Sequence, residues 1–116
     1  MNTYQDMPYK KRLEAYSIIL DMKAPRHQVV KAIEEMSELI TALSKYIATN
    51  ENLNWYTDES CSYNNLLCDK NIAEEIADVT IMLEQLRLIY GCNDRVKETM
   101  KRKIERTLRR LETGKE

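Results

Sequence analysis

Two Gly and two Pro are the only strong backbone breakers in 116 residues, and that scarcity constrains the fold more than any other feature of the chain. Glu, Lys, Leu and Ile are abundant, and apolar residues recur at spacings of three and four, the pattern of helices with one buried stripe. Four helices are predicted. The first runs from about Pro8 to Lys23, with Asp6 as its cap and Pro8 in its first turn, where a missing N–H is tolerated. It stops before Pro25. The second runs from about Arg26 to Ala48, where Asn50, Asn52 and Asn54 interrupt the pattern. The third, from about Asn71 to Tyr90, has Asp69 as cap and Gly91 as stop signal. The fourth runs from about Asp94 to Glu112, starting at Asn93 or Asp94. The fold class is therefore all-α: a single domain over residues 1–116, four-helix bundle-like. A domain this small has a thin core and gains from self-association, so the bundle is expected to be completed by oligomerisation.

Several classes drop out. Eighteen Lys plus Arg against nineteen Asp plus Glu give a net charge of −1, which supplies no general attraction for nucleic acid or a membrane surface. No apolar run approaches the ~20 residues needed to span a bilayer. The opening MNTYQDMPYKK lacks the apolar stretch of a secretory signal. Three Cys, an odd number, then point to a cytoplasmic chain with reduced thiols, and Cys61, Cys68 and Cys92 read as ordinary free thiols. The long irregular stretch 50–69 carries the only Trp, Trp55. Loops longer than ~12–15 residues are uncommon in compact domains, so 50–69 reads either as a surface connection or as a lid that recognises a base.

Chemistry concentrates in two acidic segments that echo each other. AIEEMSEL (32–39) and IAEEIADV (72–79) align without gaps at an offset of 40. Glu34 matches Glu74, Glu35 matches Glu75, and Glu38 matches Asp78; Met36, Leu39 and Leu43 match Ile76, Val79 and Leu83. At 100° per residue, the apolar stripe of the second helix holds Val29, Ile33, Met36, Ile40, Leu43 and Ile47. Glu35 and Glu38 lie on its flank one turn apart, and Glu34 points away toward Thr41 and Lys45. In the third helix, apolar almost all round and so expected to be central, Glu75 and Asp78 form the equivalent i, i+3 pair. Carboxylates on such faces need protonation, Lys or Arg partners, or divalent cations. An all-oxygen set without His or Cys favours Mg²⁺ or Mn²⁺ over Zn²⁺, and differs from the Glu-x-x-His motif of di-iron bundles. His27, the sole His, precedes the motif and reads as a surface residue at a helix start.

The last helix concentrates base: Lys101, Arg102, Lys103, Arg106, Arg109 and Arg110 surround a stripe of Val96, Met100, Ile104, Leu108 and Leu111. Lys103, Arg106 and Arg110 follow one edge of that stripe. They read either as a solvated face with i, i+4 ion pairs or as a phosphate-binding strip.

EEMSE at 34–38 followed by EIAD at 75–78 resembles the E-E-x-x-E … E-x-x-D signature of the MazG-like all-α nucleoside triphosphate pyrophosphohydrolases. The surrounding segments 27–46 and 71–91 look like the short, phage-type members. KRKIERTLRRLE (101–112) resembles their Lys-x-x-Arg region at Lys103 and Arg106. The likeness covers roughly residues 9–49 and 70–112. It implies a helical protein assembling as dimers or as tetramers of dimers, with Mg²⁺-dependent cleavage of a nucleoside triphosphate to the monophosphate and pyrophosphate. Carried over by position, the metal ligands would be Glu35, Glu38, Glu75 and Asp78. Lys103 and Arg106 would contact phosphate, and Glu38 or the outer Glu34 would orient or deprotonate the attacking water. The spacer between the acidic motifs is longer than the family's short segment, which bears on base selectivity more than on the metal site. Two rival readings follow from the same residues. One is a non-enzymatic helical interaction module, its acids paired with Arg87 and the basic helix. The other is a pyrophosphohydrolase for a different phosphate compound.

Overall fold

A computed structural model describes residues 5–49 and 70–114. The stretch 50–69, with Trp55, Cys61, Cys68 and the expected Asp69 cap, lies outside the described residues. The described residues are all-helical: α1 (Tyr9–Met22), α2 (Pro25–Thr49), α3 (Lys70–Ile89) and α4 (Asn93–Thr113), without a strand among them. No described helix is long and apolar enough to cross a membrane.

The helix ends follow from a few residues. Pro8 occupies the cap position of α1, one residue outside the first turn where the sequence placed it, and no side-chain cap bond forms there. Instead of Asp6, the Pro8 carbonyl opens the helix by accepting from Lys11 and Arg12 N–H at 3.0 and 3.1 Å. Lys23 turns extended and closes α1 through its N–H to the Ile19 carbonyl at 2.8 Å. Pro25 is then the first residue of α2, where its fixed φ suits a helix start and no N–H is wasted. Gly91, at φ 60°, ends α3 in a left-handed turn that a side chain would strain. The Cys92 N–H reaches back to the Arg87 carbonyl (3.0 Å) and the Gly91 N–H to the Leu88 carbonyl (3.2 Å), the two bonds of a Schellman cap. Cys92, a free thiol, takes the cap position of α4 without a side-chain bond, and Asn93 is its first residue.

The chain divides into two compact units, Met1–Gln85 and Leu86–Glu116. In the first, α3 is held on both sides. Toward α1, Glu84 accepts from Arg12 Nε (3.0 Å) and Nη2 (3.1 Å) and from the Tyr16 hydroxyl (2.6 Å). Toward α2, Gln28 Nε2 donates to Gln85 Oε1 at 2.7 Å. The buried residues are Tyr16, Ala32, Val79 and Met82, together with these two glutamines. That core differs from the expectation. Ile33, Ile40 and Ile47, the middle of the predicted α2 stripe, are each more than half exposed, and Ile76, Ile81 and Leu83 of the supposedly enclosed α3 are also exposed. Periodicity located the apolar faces but not what covers them. In the second unit, α4 has no buried residue, and its stripe of Met100, Ile104, Leu108 and Leu111 is open. Arg87 Nη2 lies 3.7 Å from Met100 Sδ.

Burial, then the bond to Glu84, pushes the Tyr16 phenol up to about 12. Its stabilising contribution is complete below the ordinary Tyr value of about 10 and is lost as pH rises through about 12. Tyr16→Phe is expected to lower stability by about 1–2 kcal/mol in urea unfolding at neutral pH. The variant's loss relative to wild type should shrink as pH climbs through that alkaline window.

Candidate metal centre

The contacts between α2 and α3 step in opposite directions along the two helices. Gln28 meets Gln85, and further along α2 Glu35 meets the acids Asp78 and Glu75. The helices therefore run antiparallel, and the internal echo of the sequence becomes a spatial relation. Glu38 is the strongest neighbouring charge on both Glu35 and Glu75, with Asp78 next on each.

One carboxylate oxygen each from Glu35, Glu75 and Asp78 lies within 4.8 Å of the others. Three of the four expected ligands thus converge. The fourth, Glu38, is exposed but acts on both Glu35 and Glu75 by charge. Glu34 is exposed and stands outside the group. Lys103 and Arg106 are exposed side chains of α4, in the second unit.

Two oxygens in this group stand out. Glu35 Oε2 and Glu75 Oε2 are buried and accept no hydrogen bond, although nearly all buried polar atoms in folded proteins have partners. Burial is the main reason that both carboxyls sit above the ordinary Glu range. For Glu35 the further causes are Glu38, Asp78 and Glu75; for Glu75 they are Glu38, Asp78 and Glu74. Among the described residues no Lys or Arg forms an ion pair with Glu35, Glu75 or Asp78; the pair at Arg12 belongs to Glu84. A hard divalent cation fits this donor set: the oxygens are anionic, mutually close and unsatisfied.

The carboxylates form a wall between two cavities, and sequence reasoning missed both. The first, about 390 Å³, has Glu35 and Asp78 at one end, Lys31, Ile81 and Met82 along its sides, and Gln28 and Gln85 in its floor; Ile19, Lys23 and His27 complete it. His27 is exposed in the first turn of α2, as expected, and also lines this cavity. The second, about 440 Å³, lies against Glu38 and Glu75 and is lined by Ser37, Thr41, Ala42, Lys45 and Asn71. The offset of 40 relates them: Lys31 corresponds to Asn71, Ile81 to Thr41, Met82 to Ala42, and Gln85 to Lys45. The spacing His27–Lys31–Glu35 was the one signal in the sequence that could have marked the first cavity.

No family model, curated protein or solved structure matches the chain.

The raised carboxyls carry a pH signature. The folded state binds more protons than the unfolded chain between the ordinary Glu value, about 4.3, and the raised native values. Stability of the metal-free protein therefore falls as pH rises through that window, and the penalty is complete above it. Glu35→Gln is expected to be more stable than wild type at pH 7.5 without divalent ions. The difference should shrink as pH drops toward 4.5, measured as paired thermal unfolding curves in EDTA.

Proposed function

We propose that this chain is a Mg²⁺-dependent nucleoside triphosphate pyrophosphohydrolase of the MazG-like all-α kind, acting on cytoplasmic nucleotides as a homo-oligomer. The observation that carries the reading is the pair of buried, unpartnered oxygens on Glu35 and Glu75, beside Asp78. The motif resemblance supplies the reaction, and the acidic wall supplies the donors that such a reaction requires.

Glu35, Glu75 and Asp78 hold the cation, Mg²⁺ or Mn²⁺, with Glu38 completing the set. Bound there, the cation neutralises charge on the triphosphate and lowers the pKa of a nearby water. Glu38, exposed beside Glu35 and Glu75, would orient that water and take its proton; Glu34 is the outer alternative that the motif offers. The water oxygen forms a bond to the α-phosphorus, and the bond from that phosphorus to the α–β bridging oxygen breaks. The electron pair leaves with pyrophosphate, and the nucleoside monophosphate remains. Lys31, one helical turn before Glu35 on the cavity side, neutralises phosphate oxygens as a point charge. Lys103 and Arg106 keep the phosphate-contact roles implied by the resemblance.

A second copy of the chain is the partner best suited to the open faces. Ile33, Ile40, Leu43 and Ile47 on α2 are all exposed, and contiguous apolar surface of this kind marks an interaction site. Light scattering is expected to give an oligomer for wild type and a lower mass for Ile40→Glu.

The enzymatic reading is tested with Glu35→Gln. Pyrophosphate release from a panel of triphosphates with Mg²⁺ should fall about 100-fold or more, with helicity by circular dichroism unchanged. Mg²⁺ should also stabilise wild type, by about 2.7 kcal/mol at one hundred times its dissociation constant, and leave Glu35→Gln unmoved. Near-normal turnover by the variant would end the ligand assignment. Absence of any Mg²⁺ stabilisation in wild type would favour a non-enzymatic bundle.

A further inference from the structure

The cavity floored by Gln28 and Gln85 has a chemistry that the metal site does not use. Both side chains are more than nine-tenths buried, at 4% and 2% exposure. Gln28 spends its Nε2 on Gln85 Oε1, while Gln85 Nε2 has only the Met82 sulfur, at 3.8 Å, a weak acceptor. A strong donor on Gln85 and the carbonyl oxygen of Gln28 therefore belong to the cavity floor, between the apolar sides of Ile81 and Met82. Adjacent donor and acceptor groups between apolar walls match a nucleobase, which is planar and apolar on its faces and carries neighbouring donors and acceptors on its edge.

Position supports the match. From Glu35 to Gln28 along α2, and from Asp78 to Gln85 along α3, is seven residues, about 10 Å of helix. The amides thus lie two turns from the carboxylates, leaving room for a sugar between metal-bound phosphate and base. The related cavity differs at the matching positions: where the first has Ile81, Met82 and Gln85, the second has Thr41, Ala42 and Lys45. We propose that the Gln28–Gln85 pair reads the edge of the substrate's nucleobase and sets base selectivity. This rests on the triphosphate reading.

The test compares wild type with Gln85→Met, Gln85→Glu and Gln28→Met in two assays. The first is turnover, with kcat and KM resolved, over triphosphates of four bases and over inorganic triphosphate, which has no base. The second is calorimetric binding of nucleosides, without phosphate or metal. The spread of kcat/KM across bases should narrow at least tenfold in each Met variant, mainly through KM. Turnover of inorganic triphosphate and stabilisation by Mg²⁺ should stay unchanged. Gln85→Glu, which replaces a donor by an acceptor, should reorder the bases, and nucleoside binding should follow the same pattern. If folded Met variants keep the wild-type order and spread of bases, the pair is a structural clamp and the proposal fails while the hydrolase stands. If wild type binds nucleosides through Gln85 yet hydrolyses no triphosphate, the hydrolase fails and base recognition stands. If the Met variants do not fold, an unchanged base order in Gln85→Glu overturns the proposal.

Discussion

Charge repulsion between two packed helices is the constraint around which the first unit is organised. α2 and α3 are joined by a buried amide pair, and α3 is tied to α1 by the three bonds that converge on Glu84. Those ties hold together faces that carry Glu35, Glu38, Glu75 and Asp78. Glu35 and Glu75, both half-buried, each keep one oxygen out of solvent without a partner, which opposes the packing of the two helices. The unit therefore spends part of its packing energy on keeping acids close. Such an arrangement is stabilised by whatever neutralises the acids, a proton at low pH or a cation at neutral pH. The same geometry thus accounts for the raised carboxyls and for the affinity proposed toward Mg²⁺.

The two acidic carboxylates on Glu35 and Glu75 differ from Glu84 in what surrounds them. Glu84 has a guanidinium and a phenol within hydrogen-bond distance, so its charge is satisfied within the protein and it serves as a structural tie. Glu35 and Glu75 each keep an oxygen with no donor in reach. Residue type is identical in the three cases; the presence or absence of a donor separates the clamp from the proposed ligands.

Much of this was legible in the chain, and what was not has a physical reason. Helix positions followed from periodicity, Pro25 and Gly91, and the acidic pairs followed from 100° geometry. The offset of 40 announced two matched helices. The core was harder. The strongest α2 stripe, through Ile33 and Ile40, is open in the single chain, while Ala32 and Gln28 are buried, because apolar periodicity records every face that is covered anywhere, including by a second copy. Gln85 carries no signal of its own in the sequence. Its role depends on Gln28, 57 positions away in sequence, and no local pattern reports such a pair. Lys31 had a local signal, its spacing with His27 and Glu35 on α2, but the cavity that gives the spacing meaning is closed by residues of α3.

The echo also explains why the site has a direction. A strictly two-fold arrangement of α2 and α3 would place identical cavities on either side of the carboxylate wall, and an elongated substrate could bind in either sense. The residues that differ between the repeats break that equivalence. Met82 and Gln85 line the cavity on one side, and Ala42 and Lys45 stand at the matching positions on the other. The acidic positions, Glu35 with Glu75 and Glu38 with Asp78, stay acidic in both copies. On the triphosphate reading proposed above, symmetry is kept where a cation would need converging oxygens and lost where a base at one end and pyrophosphate at the other would need two unlike ends.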